Sequence, residues 1–223
     1  MSRTVGIVVP AYDPDVDRMN AYIESLRAAG VGDVIHVELD APAESTVSRV
    51  EGADSVHVAT ERRGKGAAIM DGFGRLSTDV LAFADADGAT PASSVGDVVA
   101  PVRDGDVSVA VGSRRHPAAE IRSHQTVVRR RLGDAFAWLA SRALPVSLYD
   151  SQCGAKAITD TAWRAVEPHM HETGFAWDLE LIAVVTALGY GIQEVPIVWD
   201  DAPNSTVEPL RTPLKMALAM AKI

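Results

Sequence analysis

The first half of the chain alternates two hydrophobic patterns. Short runs rich in β-branched residues, VGIVV ending at Pro10, VIHVEL at Val34–Leu39, SVHVA at Ser55–Ala59, VLAFA at Val80–Ala84 and VSVAVG at Val107–Gly112, are bounded by turn residues and predict buried strands. Between them the apolar positions switch to helical spacing. Val16, Met19, Ile23 and Leu26 form one stripe, with Asp13 as a cap, Pro14 at the first position and Gly30 as the stop. Further helices are expected over Gly66–Leu76 and Pro91–Val102. Strands alternating with helices of this length imply βαβ units, and so an α/β fold with a mainly parallel, doubly wound sheet flanked by helices.

The second half is patterned differently. A long helix over His124–Leu144 precedes a short strand at Ala155–Ile158, helices at Thr161–Val166 and Trp177–Leu188, and a strand at Ile192–Trp199. The tail after Pro213 reads as a helix. No repeat, low-complexity stretch or linker divides the 223 residues, so the halves 1–115 and 116–223 are expected to share one body.

Composition narrows the classes. A net charge of −9 argues against nucleic-acid binding. Arg outnumbers Lys by 17 to 4 and Asp outnumbers Glu by 19 to 11, which suits solubility in concentrated salt and suits a GC-rich genome equally. The single cysteine, Cys153, excludes an internal disulfide and fits a reducing compartment. No signal-peptide pattern opens the chain and no apolar run has the length to span a bilayer, so the expected location is cytoplasmic, or peripheral on the cytosolic face of a membrane.

Candidate chemistry is concentrated in LAFADADGATP, residues 81–91. In an open parallel sheet ligands bind beyond the carboxyl ends of the strands. Asp85 and Asp87 fall just past such an end, where two carboxylates with substrate phosphates make a typical Mg²⁺ or Mn²⁺ site. A bare pair with this spacing also occurs as a turn cap beside a solvated acid. ERRGKGAA sets Lys65 between two glycines at a helix start, a position suited to a phosphate or a base carbonyl. It lacks the glycine and Ser/Thr of a Walker A loop, and strand one leads into PAYDP rather than GxGxxG, which argues against a dinucleotide-dependent oxidoreductase. VGSRRHP places Arg114 and Arg115 at another strand end, and VVRRRLG places Arg129, Arg130 and Arg131 on a helix. In so acidic a chain, arginines gathered at such ends point to an anionic ligand, although a solvated helix face accounts equally for Arg130 and Arg131.

Seven segments, VVPAYDP, RGKGAA, FADADGATP, VGSR, YDSQCGAK, GFAWDLELI and EVPIVW, occur in the order and spacing of the family 2 glycosyltransferases. The chain resembles that family over nearly its whole length, and within it the branch that makes polyprenyl- and dolichyl-phosphate sugars. The resemblance implies a GT-A fold, a nucleotide-sugar donor (UDP-glucose favoured), a divalent metal, Mg²⁺ or Mn²⁺, and inversion at the anomeric carbon. Residues 1–115 would bind the donor and 116–223 the acceptor. By position, Pro10, Ala11 and Tyr12 would line the base pocket with Asp40, while Lys65 and Gly66 also contact the nucleotide. Asp85 and Asp87 would hold metal and diphosphate, Asp87 being the more direct ligand. Arg114 and Arg129 would bind the diphosphate and the acceptor phosphate. Asp150 and Gln152 would lie beside the donor sugar, with Asp178 near the same cleft.

The chain also departs from the family. Asp13-Pro14 replaces the usual Asn-Glu, the acids after strand two shrink to LDAP, and Ser205-Thr206 stands where Ser-Lys is frequent. A lipid-phosphate acceptor, already ionised, needs orientation rather than a strong base; a hydroxyl acceptor would make Asp150 or Asp178 indispensable. A non-catalytic nucleotide-binding module and a nucleotidyltransferase are the remaining rivals, the latter disfavoured because no glycine-rich basic loop follows strand one. The tail, with Leu214, Ala217, Leu218 and Ala221 on one face, fits a membrane interface as well as a packed last helix. Trp138, Trp163, Trp177 and Cys153 are expected to be packing residues, and the His169/His171 pair is not taken as a metal site.

Overall fold

The computed structural model describes residues 2–122 and 146–200. In chain order the elements are β1 (Val5–Tyr12), α1 (Val16–Ala28), β2 (Val34–Asp40), α2 (Glu44–Val47), β3 (Ser55–Ala59), α3 (Lys65–Arg75), β4 (Val80–Ala84), α4 (Ala92–Asp104), β5 (Val109–Ser113), β6 (Glu120–Ile121), β7 (Ala155–Thr159), α5 (Asp160–Val166), α6 (Trp177–Ala187), β8 (Ile192–Pro196) and β9 (Val198–Trp199). Seven strands make one sheet in the order β3-β2-β1-β4-β7-β5-β8, and β6 pairs with β9 in a small second sheet. All seven run parallel except β7, which is antiparallel to both β4 and β5. The expected long helix over His124–Leu144 and the tail helix lie outside the described residues.

Burial on both faces explains the near-continuous apolar strands. Ile7, Val9, Ala82 and Ala84 face α1 and α4, where Met19, Ile23, Leu26, Val95 and Val98 meet them. Val8, Leu81 and Phe83 face the opposite layer with Ile69, Phe73, Trp163 and Trp177. Trp163 and Trp177 are core residues, packed edge-on against Phe73 at 5.1 Å and 6.5 Å between ring centroids. Each such side chain contributes about 2–3 kcal/mol by leaving water.

Three local expectations are corrected. β1 continues through Pro10 to Tyr12, because β1 pairs with β4 only as far as Val8↔Phe83, so the missing proline N–H interrupts no bond on that side. Asp13 therefore does not cap α1; it turns the chain with φ +47°, and Asp15 is the cap, its Oδ1 accepting from the Arg18 N–H at 3.2 Å. The expected strand Ile192–Trp199 breaks at Ile197 into β8 and β9, which join different sheets.

Glu38 on β2 is fully enclosed. It lies between His36 Nε2 at 2.9 Å, His57 Nδ1 at 2.9 Å, Arg63 Nη2 at 2.7 Å and Arg75 Nε at 3.1 Å. Burial alone would raise its pKa from 4.5, but hydrogen bonds from His36, Arg63 and His57 outweigh that and hold it at about 2. A carboxylate depressed in the folded state stabilises above its unfolded pKa, and the contribution disappears as pH falls from about 4.5 towards 2. Glu38→Gln should lower stability at pH 7 by about 3 kcal/mol, as for a broken buried pair. It should also flatten the fall in the guanidinium midpoint between pH 5 and 2. An unchanged midpoint at pH 7 would show that the cluster does not hold β2 to α3.

Candidate active site

The strand order reverses between β1 and β4, and beyond Val8 and Phe83 these two strands no longer pair. This is the crevice where an open α/β sheet receives its ligand. Asp85 is the first residue past β4. Its N–H donates to the Gly154 carbonyl at 3.0 Å, and its carboxylate lies where a Cβ on Gly154 would stand. That contact exists because β7 enters the sheet from the opposite end and delivers Asp150–Gly154 to the carboxyl ends of β4 and β5. Asp87 Oδ1 accepts from the Ala89 N–H at 3.0 Å, closing a turn in which Gly88 has φ +64°. Tyr22 of α1 supports this turn from below, its hydroxyl donating to the Thr90 carbonyl at 2.7 Å. Burial first, then the charges of Asp85 and Asp87, raise the Tyr22 pKa, so it stays a neutral donor.

Lys65 opens α3 and reaches into the crevice. Its Nζ is 3.0 Å from Asp85 Oδ1 and 3.5 Å from Asp178 Oδ2. Enclosure would lower the Lys65 pKa, but Asp178 and Asp85 raise it above its ordinary value, so it is a permanent cation. The Asp85 pKa is raised, by its enclosed position first and by Asp87 and Asp178, with Lys65 opposing. The other Asp178 oxygen pairs with Lys156, whose Nζ also donates to the Cys153 carbonyl at 2.9 Å. Asp178 and Lys156 are both buried.

The glycines around Lys65 are required by packing. Gly64 has φ +106°, and a Cβ there would meet the Thr173 carbonyl oxygen at 2.5 Å; a Cβ on Gly66 would meet the Glu172 carbonyl oxygen at 2.7 Å. Gly66 is therefore buried against the approach to α6. Asp40 fixes the same loop: its carboxylate accepts from the Arg63 N–H and Gly64 N–H, both at 2.9 Å, and from Arg63 Nε at 2.8 Å.

On the other side of Asp85, Arg114 follows β5 and forms a forked pair with Asp150, Nε to Oδ2 at 2.7 Å and Nη2 to Oδ1 at 3.1 Å. Burial would raise the Asp150 pKa, but the Arg114 charge and hydrogen bonds hold it at about 2. Glu194 of β8 pins this loop by accepting from the Asp150 N–H at 2.8 Å and the Tyr149 N–H at 3.0 Å. The Gln152 N–H donates to Asp150 Oδ1 at 3.0 Å. Cys153 is buried beneath, and burial, then the Asp150 charge, push its thiol up to about 11, so it is no nucleophile.

Pro10, Ala11 and Tyr12 form the end of β1 beside Asp40, in register with Glu38, Leu39 and Asp40. Tyr12 is 43% exposed, with the Arg62 guanidinium 3.8 Å above its ring. Arg129 lies outside the described residues, as do Arg130 and Arg131. Sequence reasoning missed Lys156, Arg63, Tyr22 and Glu194; the one visible signal was a lysine inside the otherwise small and apolar strand AKAIT.

Asp85 and Asp87 offer hard oxygen donors, and a lysine ammonium already occupies the position of a cation against Asp85, so the donor set fits Mg²⁺ or Mn²⁺. Among the described residues no three His, Cys, Asp or Glu side chains form a ready metal cage. Such a cation would keep several waters on these two carboxylates and gain ligand oxygens from a bound diphosphate.

Residues 7–140 match the family described as Glycosyl transferase family 2, and the chain belongs to that family. It is a glycosyltransferase with a GT-A fold. A dolichyl-phosphate beta-glucosyltransferase of Drosophila melanogaster is 28% identical, over 96% of this chain and 72% of that protein. One from Saccharomyces cerevisiae is 30% identical, over 74% of this chain and 50% of that protein. The crystal structure of glucosyl-3-phosphoglycerate synthase from Mycobacterium tuberculosis with Mn²⁺, UDP and glucosyl-3-phosphoglycerate superimposes with a TM-score of 0.71. It is 19% identical, over 99% of this chain and 81% of that one.

Gly154→Ala should displace the Asp85 carboxylate while leaving the two cores intact. Calorimetric titration with UDP and Mn²⁺ should then show at least about tenfold weaker binding, the effect of one misplaced charged contact, with a melting temperature near wild type. Unchanged binding would mean that the Asp85–Gly154 contact does not position the ligand.

Proposed function

We propose that the protein transfers glucose from UDP-glucose to dolichyl phosphate or a similar polyprenyl phosphate, with inversion, using Mg²⁺ or Mn²⁺. The observation that carries this reading is the state of the candidate bases. Asp150 is locked to Arg114, and Asp178 is enclosed between Lys65 and Lys156. Neither is poised to take a proton from a hydroxyl, whereas a phosphate acceptor has none to give up. The names of the relatives support the same sugar and acceptor.

In this mechanism an ionised oxygen of the lipid phosphate attacks the anomeric carbon of glucose. The bond from that carbon to the UDP oxygen breaks on the opposite face, and UDP leaves with the electron pair. Asp85 and Asp87 would hold a divalent cation, which would supply charge neutralisation for the leaving group. Arg114, oriented by Asp150, faces the diphosphate, and Lys65 adds a cation from the start of α3. Pro10, Ala11, Tyr12 and Asp40 shape the base pocket, Gly66 lets α3 approach, and Gln152 borders the sugar. Arg129 is assigned the acceptor phosphate. Residues 1–115 carry most of the donor contacts and 116–223 the acceptor contact, with Asp150 and Gln152 reaching the donor side from the second half. Among the described residues no helix is long and apolar enough to cross a membrane; the acceptor would be met at the cytosolic membrane surface.

The test is transfer of label from UDP-glucose into the organic phase with dolichyl phosphate and Mn²⁺ or Mg²⁺. Asp87→Ala should abolish transfer. Asp150→Asn should slow it by less than about tenfold, whereas loss of a true general base costs about 10²–10⁴. The rate should rise with the second ionisation of the acceptor phosphate, near pH 6, and then level off. Label that stays aqueous, or a loss of a thousandfold with Asp150→Asn, would favour a hydroxyl acceptor.

A further inference from the structure

Four charged side chains alternate in sign from the floor of the crevice into the core: Asp85, Lys65, Asp178 and Lys156. The two lysines come from unrelated elements, the first turn of α3 and the middle of β7, and both stand over the Phe83 ring, at 4.9 Å and 5.6 Å. Lys156 is opposite Phe83 in the β4–β7 register, so the sheet itself fixes this cation. Asp178, on the first turn of α6, has one oxygen engaged by Lys156 and the other turned to Lys65.

We propose that Lys65 is an internal counter-ion for Asp85 that an arriving divalent cation displaces, and that Asp178 is the carboxylate that receives it. This rests on the reading of Asp85 and Asp87 as metal ligands. The Lys65 ammonium is 3.0 Å from Asp85 Oδ1, 3.4 Å from Asp85 Oδ2 and already 3.5 Å from Asp178 Oδ2. A small shift along this line completes the pair with Asp178 without taking the ammonium through an unpaired position, which in so enclosed a site would be costly. Asp178 can serve as receiver because Lys156 holds it in place. Without a ligand, Lys65 neutralises an aspartate beside a second aspartate. With metal and diphosphate bound, Lys65 remains at the donor side as a phosphate contact. Asp178 is therefore a positioning residue in this scheme, acting on the metal through Lys65.

The experiment measures Mn²⁺ affinity of the nucleotide-free protein by electron paramagnetic resonance, a readout independent of turnover. Lys65→Met should tighten Mn²⁺ binding by about tenfold or more, since it removes a competing charge about 3 Å away. Asp178→Asn should weaken it, because Lys65 then has only Asp85 to pair with. Simple through-space electrostatics gives the same two signs, so the double variant decides. If Asp178 acts through Lys65, Lys65→Met with Asp178→Asn binds Mn²⁺ as Lys65→Met does; additive effects would overturn the handover. Lys65→Met without tighter binding would overturn the competition. Asp87→Ala should lose Mn²⁺ in any case. If it does and the Lys65 effects are absent, only this inference fails; if Asp87→Ala binds Mn²⁺ like wild type, the metal-ligand reading fails and takes the inference with it.

Discussion

The geometry of the crevice depends on one backbone contact, that of Asp85 with Gly154. β7 runs against the direction of the other strands in the main sheet, between β4 and β5. A parallel strand there would bring its carboxyl end to the crevice. The reversed one brings its amino end, and with it the segment Asp150–Gly154. Only a residue without a side chain at position 154 leaves room for the Asp85 carboxylate. The same reversal sets Asp150 under Arg114 and Lys156 beneath Asp178. Two charge pairs from widely separated parts of the chain, and the Asp85–Gly154 contact, are thereby tied to one topological choice.

The cations and carboxylates are satisfied in pairs, and this shapes the chemistry. An unpaired charge in such a setting would shift its pKa or draw in water. Here each candidate base has a cationic partner, and the lysine nearest the crevice has two carboxylates. The site is therefore well suited to holding a highly charged diphosphate and poorly suited to removing a proton from a neutral acceptor. The Glu38 cluster applies the same rule one layer away. It joins β2 and β3 to the segment leading into α3, because Arg63 bridges Glu38 and Asp40 while Asp40 holds the backbone N–H groups of Arg63 and Gly64. Lys65 is thus aimed by a buried network that begins two strands from the crevice.

Much of this was legible in the residues themselves. Strand ends followed by acidic or basic residues marked Asp85, Asp87 and Arg114, because the ligand side of a parallel sheet is fixed by strand direction. The periodicity of Val16, Met19, Ile23 and Leu26 located α1, although its cap moved from Asp13 to Asp15 once β1 ran on to Tyr12. What stayed hidden depended on pairing across long sequence separations. Lys156 reads as an odd residue in a small-residue strand until Asp178, from a helix far along the chain, is brought beside it. Glu38 looks like the polar position of an alternating strand, yet it is fully buried because His36, His57, Arg63 and Arg75 surround it. Asp40 was legible as a strand-end acid, but not as the anchor of the loop before α3.

The two segments that depart from the family pattern, YDP and LDAP, meet in space and share a conformation. Tyr12 and Asp40 are register partners, and the residues after them, Asp13 and Ala41, have φ +47° and +43°. Left-handed backbone costs a non-glycine residue about 1–2 kcal/mol, so two side by side require support. Ala41 has it from its N–H, which donates to the Ala59 carbonyl at 2.9 Å on the neighbouring strand. Asp13 is followed by Pro14 and then by the Asp15 cap, which together fix the turn into α1. Strain of this kind is kept where the chain must leave a strand sharply, and here both departures occur at the mouth of the same crevice. The altered residues thus belong to one structural device: paired left-handed exits from β1 and β2, with Tyr12 exposed between them and Arg62 laid over its ring. These exits are set by backbone direction and by the cation stacked on Tyr12.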